Sequence, residues 1–111
     1  MVQERPNTIK EVMERMSSTF LPNKAAGAKA IIQFNFTGTE PGNWVAKIAE
    51  GKCEVCQGTV DNPSVTINSP SDVWLKVNRG ELDGTTAFMT GQFTFKGDMG
   101  VLMQMQNWFA R

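Results

Sequence analysis

Apolar residues in this chain recur first at helical spacing, then at every second position, and then at helical spacing again. Over residues 6–21 the stripe is Ile9, Val12, Met13, Met16 and Phe20, one face of a helix covering a core. Thr8 with Glu11 makes a capping box at its start, and Pro22 stops it. Over residues 28–37 the period falls to two. Ala30, Ile32, Phe34 and Phe36 alternate with Ile31, Gln33, Asn35 and Thr37, which predicts a half-buried strand. Residues 38–42, with Pro41, form a turn, residues 43–50 a second strand, Gly51-Lys52 a tight connection, and residues 53–60 a third strand. Links this short imply antiparallel neighbours. Asp61-Asn62-Pro63 breaks the chain, and residues 64–68 read as a short fourth strand.

Helical signals then return. Ser69-Pro70-Ser71-Asp72 supplies a Ser cap, a Pro at the first helical position and an acid three after the cap. That helix carries Val73, Trp74 and Val77 and stops near Gly80. A shorter one follows Asp83, includes Ala87, Phe88 and Met89, and closes before Gly91. Residues 92–96 alternate once more, with Phe93 and Phe95 on one face. Gly97 turns the corner and Asp98 caps a final helix. Strand clusters set apart from helices indicate an α+β fold, with helices layered on a mostly antiparallel sheet, in a single domain spanning 1–111.

The final helix is the unusual element. From Met99 to Ala110 there is no charged residue, and three of the seven methionines fall inside it. At about 3.6 residues per turn, Met99, Leu102, Met103, Gln106, Phe109 and Ala110 share one face, and Val101, Met105 and Trp108 form a second apolar stripe nearly opposite. A surface helix has one apolar and one charged face. Two apolar faces call for a second cover: a bound apolar ligand, a partner chain or a neighbouring helix.

Composition narrows the chemistry. With 11 basic and 11 acidic residues scattered singly, there is no Lys/Arg patch for phosphates, which argues against nucleic acid and a strongly anionic membrane surface. No apolar run has transmembrane length and no secretory leader is evident, so a cytoplasmic location is expected, with at most transient membrane contact. Cys53 and Cys56 have C-x-x-C spacing, but within Lys52-Cys-Glu-Val-Cys-Gln57 they read as strand residues on opposite faces. Two unpaired thiols are expected there, not a redox or metal centre. Asn35-Phe36-Thr37 matches a glycosylation acceptor but falls in a core strand. The chain has no histidine and no tyrosine, so Ser-His-Asp and Cys-His arrangements cannot be built. No Walker loop or complete dinucleotide fingerprint is present. No catalytic role, cofactor or metal is expected. What remains is apolar: seven Met, seven Phe and three Trp suit a deformable cavity as well as a core.

From Ser69 onward the chain resembles the sterol carrier protein 2 family. The matching pieces are Ser69-Pro-Ser-Asp-Val-Trp-Leu-Lys76 leading to Gly80, then Leu82, Ala87-Phe88-Met89 and Gly91-Gln-Phe-Thr-Phe-Lys-Gly97. Most specific is Gly97-Asp-Met-Gly100, with Met103 and Gln106 spaced after it. Upstream, the strand around Ile32 and Phe36, the Trp44 strand and Asp61-Asn-Pro-Ser-Val-Thr-Ile67 fit the same pattern, so the likeness covers nearly the whole chain. The resemblance implies a five-stranded sheet with helices on one face and an apolar tunnel between them, binding fatty acids, acyl-CoA, phospholipids or sterols. Under that reading the ligand-lining candidates are Phe34, Phe36, Trp74, Phe88, Phe93, Phe95, Met99, Leu102, Met103, Met105 and Gln106. The extra tail and peroxisomal address of eukaryotic members are lacking, which points to a prokaryotic-style, cytoplasmic version. The expected function is therefore non-enzymatic lipid binding, with lipid transfer as an extension. The rival is an interaction or accessory module that forms a homodimer or docks on a larger complex through its last helix.

Overall fold

The computed structural model describes residues 7–25, 27–105 and 107–108. Nine elements follow in chain order: α1 (Ile9–Thr19), β1 (Ala30–Thr37), β2 (Gly42–Ala49), β3 (Lys52–Gln57), β4 (Val65–Pro70), α2 (Ser71–Asn78), α3 (Gly84–Met89), β5 (Thr94–Gly97) and α4 (Met99–Met105). The strands form one sheet in the order β3-β2-β1-β4-β5. Every pairing is antiparallel except β1 with β4, where Phe34 lies beside Ile67. The sheet is thus five-stranded and mostly antiparallel, in an α+β fold.

One face of the sheet is the core. Ile32, Phe34 and Phe36 of β1, Trp44, Ala46 and Ile48 of β2, Cys53 of β3, and Val65 and Ile67 of β4 are buried on it, as their shared register requires. The helices pack over this face. α1 contributes the predicted stripe, Ile9, Val12, Met13 and Met16, all buried. Its start is capped as the sequence implies, Thr8 Oγ1 accepting from Glu11 N at 3.1 Å. A second cap comes from far along the chain: the Glu40 carboxylate accepts from Ile9 N at 2.7 Å and Lys10 N at 3.0 Å.

The short links within β1-β2-β3 join antiparallel neighbours, as expected. The longer link from β3 to β4 does not. Residues 58–64 cross beneath β2 and β1 to reach the far side of β1, where β4 runs parallel. Gln33, predicted on the solvent side of β1, is buried for that reason. Its Nε2 donates to Trp44 O and Gly58 O, both at 3.1 Å, and its Oε1 accepts from Val60 N at 3.0 Å. The side chain pins the crossover, so its polar atoms are satisfied out of water. Ser69, expected to cap α2, does not. It is still in the β4 ladder opposite Phe36, and Pro70 occupies the cap position with no side-chain bond. Ser71 opens the helix, and its hydroxyl accepts from Glu40 N at 3.0 Å, tying α2 to the β1–β2 turn. The tight β2–β3 connection is centred one residue earlier than expected, with Glu50 and Gly51 both at positive φ, as a two-residue hairpin turn demands.

A candidate lipid site between sheet and helices

Six aromatic rings make a continuous series from the middle of the sheet to the surface. Phe34, with no exposed surface, lies 5.9 Å from Phe36 and 5.7 Å from Trp74 of α2, measured between ring centroids. Trp74 meets Phe93 edge-on at 5.6 Å. Phe93 meets Phe88 of α3 at 5.7 Å, and Phe88 meets Phe95 of β5 at 5.1 Å. Phe88 is 37% exposed, so the series ends in solvent. The alternation of β1, the helical spacing of α2 and the alternation near β5 each put one or two of these rings on the inner face. The structure brings six of the eleven sequence candidates together in this way.

α4 closes the neighbouring part of the same face, and both its ends are fixed. Asp98 Oδ1 accepts from Gly100 N at 2.8 Å and Val101 N at 3.3 Å, while Asp98 N donates to Ser64 O at 2.9 Å. Gly97 just before it has φ +117°, and a Cβ there would sit 2.5 Å from Ser64 O, so only glycine lets β5 pass the start of β4. At the far end Leu21 N donates to Trp108 O at 2.6 Å.

The inward side of α4 is Leu102, Met105 and Trp108, with Val101 half-buried. This stripe draws on both predicted faces. The reason is that α4 stops at Met105 and the chain tightens into i→i+3 bonds, Gln104 O to Asn107 N and Met105 O to Trp108 N. At about three residues per turn, positions 102, 105 and 108 align. Met99 and Met103, expected to face the ligand, project outward and are 54% and 58% exposed. Gln106, Phe109 and Ala110 lie outside the described residues.

One recess among the described residues lies elsewhere. It has a volume of about 330 Å³ and is lined by Lys24, Ala25, Gly27, Ala28, Gln104, Asn107 and Trp108, between the loop after α1 and the end of α4. None of the ten candidates among the described residues borders it, although Trp108 and Ala25 belong to the same core.

Cys53 is buried on the core face and Cys56 is exposed on the other, and both thiols are free, as their strand placement implies. Burial pushes the Cys53 thiol up to about 11. Among the described residues no group of His, Cys, Asp or Glu gathers to hold a metal, and no helix is long and apolar enough to cross a membrane.

The SCP-2 sterol transfer family matches residues 9–110. The chain belongs to this family. Among curated relatives, hydroxysteroid dehydrogenase-like protein 2 of Xenopus tropicalis is 28% identical over 99 residues, which cover 88% of this chain and 24% of that protein. The chain thus spans about a quarter of the length of the curated relatives it matches. Palmitated SCP2L2 from Aedes aegypti has the same fold, with TM-score 0.75 and 20% identity over 88% of this chain and 90% of that one. The sec-alkylsulfatase Pisa1 from Pseudomonas sp. contains a similar unit, with TM-score 0.80 and 16% identity over 91% of this chain and 16% of the enzyme. Family membership supports lipid binding in general, and the shared architecture bears out the sheet-and-helix reading of the sequence.

Proposed function

We propose that this domain binds a single-chain lipid, a fatty acid or its acyl-CoA, or a sterol, between the sheet and helices α2, α3 and α4, and catalyses no reaction. The observation that carries this reading is the aromatic series from Phe34 to Phe88, in a fold whose family is described by sterol transfer. The proposed lining is Phe34, Phe36, Trp74, Phe88, Phe93 and Phe95, joined by Leu102 and Met105 of α4. Because these rings touch one another, a ligand is accommodated by the outer ones, Phe88 and Phe93, swinging aside. Methionine at 105 adapts to the altered shape. The driving force is desolvation: at ~0.8 kcal/mol per methylene, about ten buried methylenes contribute roughly 8 kcal/mol before ordering costs. Such a site binds without fine discrimination, since one methylene more or less changes little. The palmitate named with the Aedes aegypti protein belongs to that protein and supports the ligand class proposed here.

Titration of delipidated protein with hexadecanoic acid tests this. One molecule per chain is expected to bind, and Phe88→Glu, which sets an ionised carboxylate in the path of the chain, is expected to weaken binding about tenfold or more while the domain stays folded. Equal affinity in the variant would remove Phe88 from the site.

A second reading is favoured by the fraction of its relatives that this chain spans: an accessory module serving a larger enzyme. A tight dimer that ignores lipid, seen by light scattering, would support it instead.

A further inference from the structure

The recess between the loop after α1 and the end of α4 lies outside the proposed lipid lining and has a chemistry of its own. Three polar side chains line it, Lys24, Gln104 and Asn107, and all three can donate hydrogen bonds. Lys24 is the one charged residue of the described lining, which includes no Asp or Glu. Ala25, Ala28 and the buried Trp108 supply the apolar part. Both walls are held by backbone bonds. Lys24 N and Ala25 N donate to Leu21 O at 3.0 and 3.2 Å, and Ala28 N donates to Ala25 O at 2.9 Å. On the other side Asn107 N donates to Gln104 O at 2.9 Å, and the bond from Leu21 N to Trp108 O joins the two walls. Gly27, at φ +75°, leaves open space where a Cβ would stand. The recess is therefore formed in advance, so filling it costs little ordering.

We infer that this recess binds a small monocarboxylate with an apolar body, separately from the lipid. Its volume of about 330 Å³ lies at the lower end of the ~300–1,000 Å³ of small-molecule sites and holds about ten water-sized groups at ~30 Å³ each. That is the scale of an aromatic or short-chain acid rather than a long acyl chain. One cation and two carboxamides match one carboxylate: Lys24 balances its charge, and the amides of Gln104 and Asn107 donate to its oxygens. A second negative charge on the ligand would meet no further cation in the described lining, and a cationic ligand would meet no anion. The body of the acid lies against Ala25, Ala28 and Trp108, where desolvation favours it.

Benzoate is the probe, read by the side-chain amide NMR signals of Gln104 and Asn107 and the indole N–H signal of Trp108. Saturable shifts with a Kd on the order of 1 mM are expected for so small a ligand. Benzamide, of the same shape without the charge, is expected to bind about tenfold more weakly. Lys24 is exposed, so Lys24→Gln is expected to weaken benzoate only about threefold, and Lys24→Glu, which reverses the charge, about tenfold or more. Saturating the chain with hexadecanoic acid beforehand is expected to leave benzoate affinity within about twofold. Shifts that do not saturate by about 20 mM, or benzamide binding as well as benzoate, overturn the inference. So does a folded Lys24→Glu variant that binds benzoate like the wild type. Displacement of benzoate by hexadecanoic acid overturns the separate site and gives the recess to the lipid. Failure of hexadecanoic acid itself to bind removes the lipid-binding reading alone, and the benzoate titration still decides this inference.

Discussion

Single residues in this domain show where side-chain chemistry follows from strand position and where it does not. Cys53 and Cys56, three apart on β3, face opposite ways, which the C-x-x-C spacing conceals and strand alternation reveals. The consequence is measurable. Cys56 is expected to react with a disulfide reagent at about pH 8 while Cys53 reacts only on unfolding. Equal rates for both would contradict the burial of Cys53. The same burial sets a pH dependence. The folded-state value of about 11 lies above the unfolded 9.0, so this group's contribution to stability is complete below pH 9.0 and is lost as pH rises through about 11. Cys53→Ala is expected to flatten that alkaline loss in denaturation midpoints. Gln33 is the opposite case. A polar residue at an outward strand position gives no hint of burial, because what buries it is a crossover decided by the order of distant strands.

At the scale of elements, the helical stripe of α1 and the period-two strands were legible because each is a local pattern tied to burial on one face. The facing of α4 was not. A helical wheel drawn through residue 110 assumes one regular helix, whereas α4 ends at Met105 and the tighter turn after it rotates Trp108 onto the Leu102 side. The family resemblance implies Met99 and Met103 on the ligand side, whereas both are exposed and Trp108 is buried. Long-range capping is equally invisible to local patterns. Glu40, 31 residues from Ile9, holds the first turn of α1 while Ser71 holds Glu40. Glu40→Gln keeps the shape but replaces one accepting oxygen by a donor that faces helix N–H groups. It is expected to lower stability by about 1–2 kcal/mol in chemical denaturation. An unchanged midpoint would mean that Thr8 caps α1 sufficiently alone.

For the whole molecule, the order of segments indicated α+β and a mostly antiparallel sheet, and the motifs from Ser69 to Gly100 indicated the family. The parallel β1–β4 pair, which sets the middle of the sheet beneath α2 and α4, is a property of topology that no segment carries by itself. Placing Phe34 beside Ile67 puts the buried end of the aromatic series at the sheet's centre and its exposed end at α3. That geometry gives the domain an inner apolar surface and an outer one, and its methionines distinguish them: Met105 faces in, Met99 and Met103 face out. Methionine-methyl NMR during titration with hexadecanoic acid reads both at once. Progressive movement of the Met105 methyl, saturating at one ligand per chain with Met99 and Met103 unmoved, is the expected result. Saturable binding that leaves Met105 still, or that shifts only the two outer methionines, would contradict a site between sheet and helices.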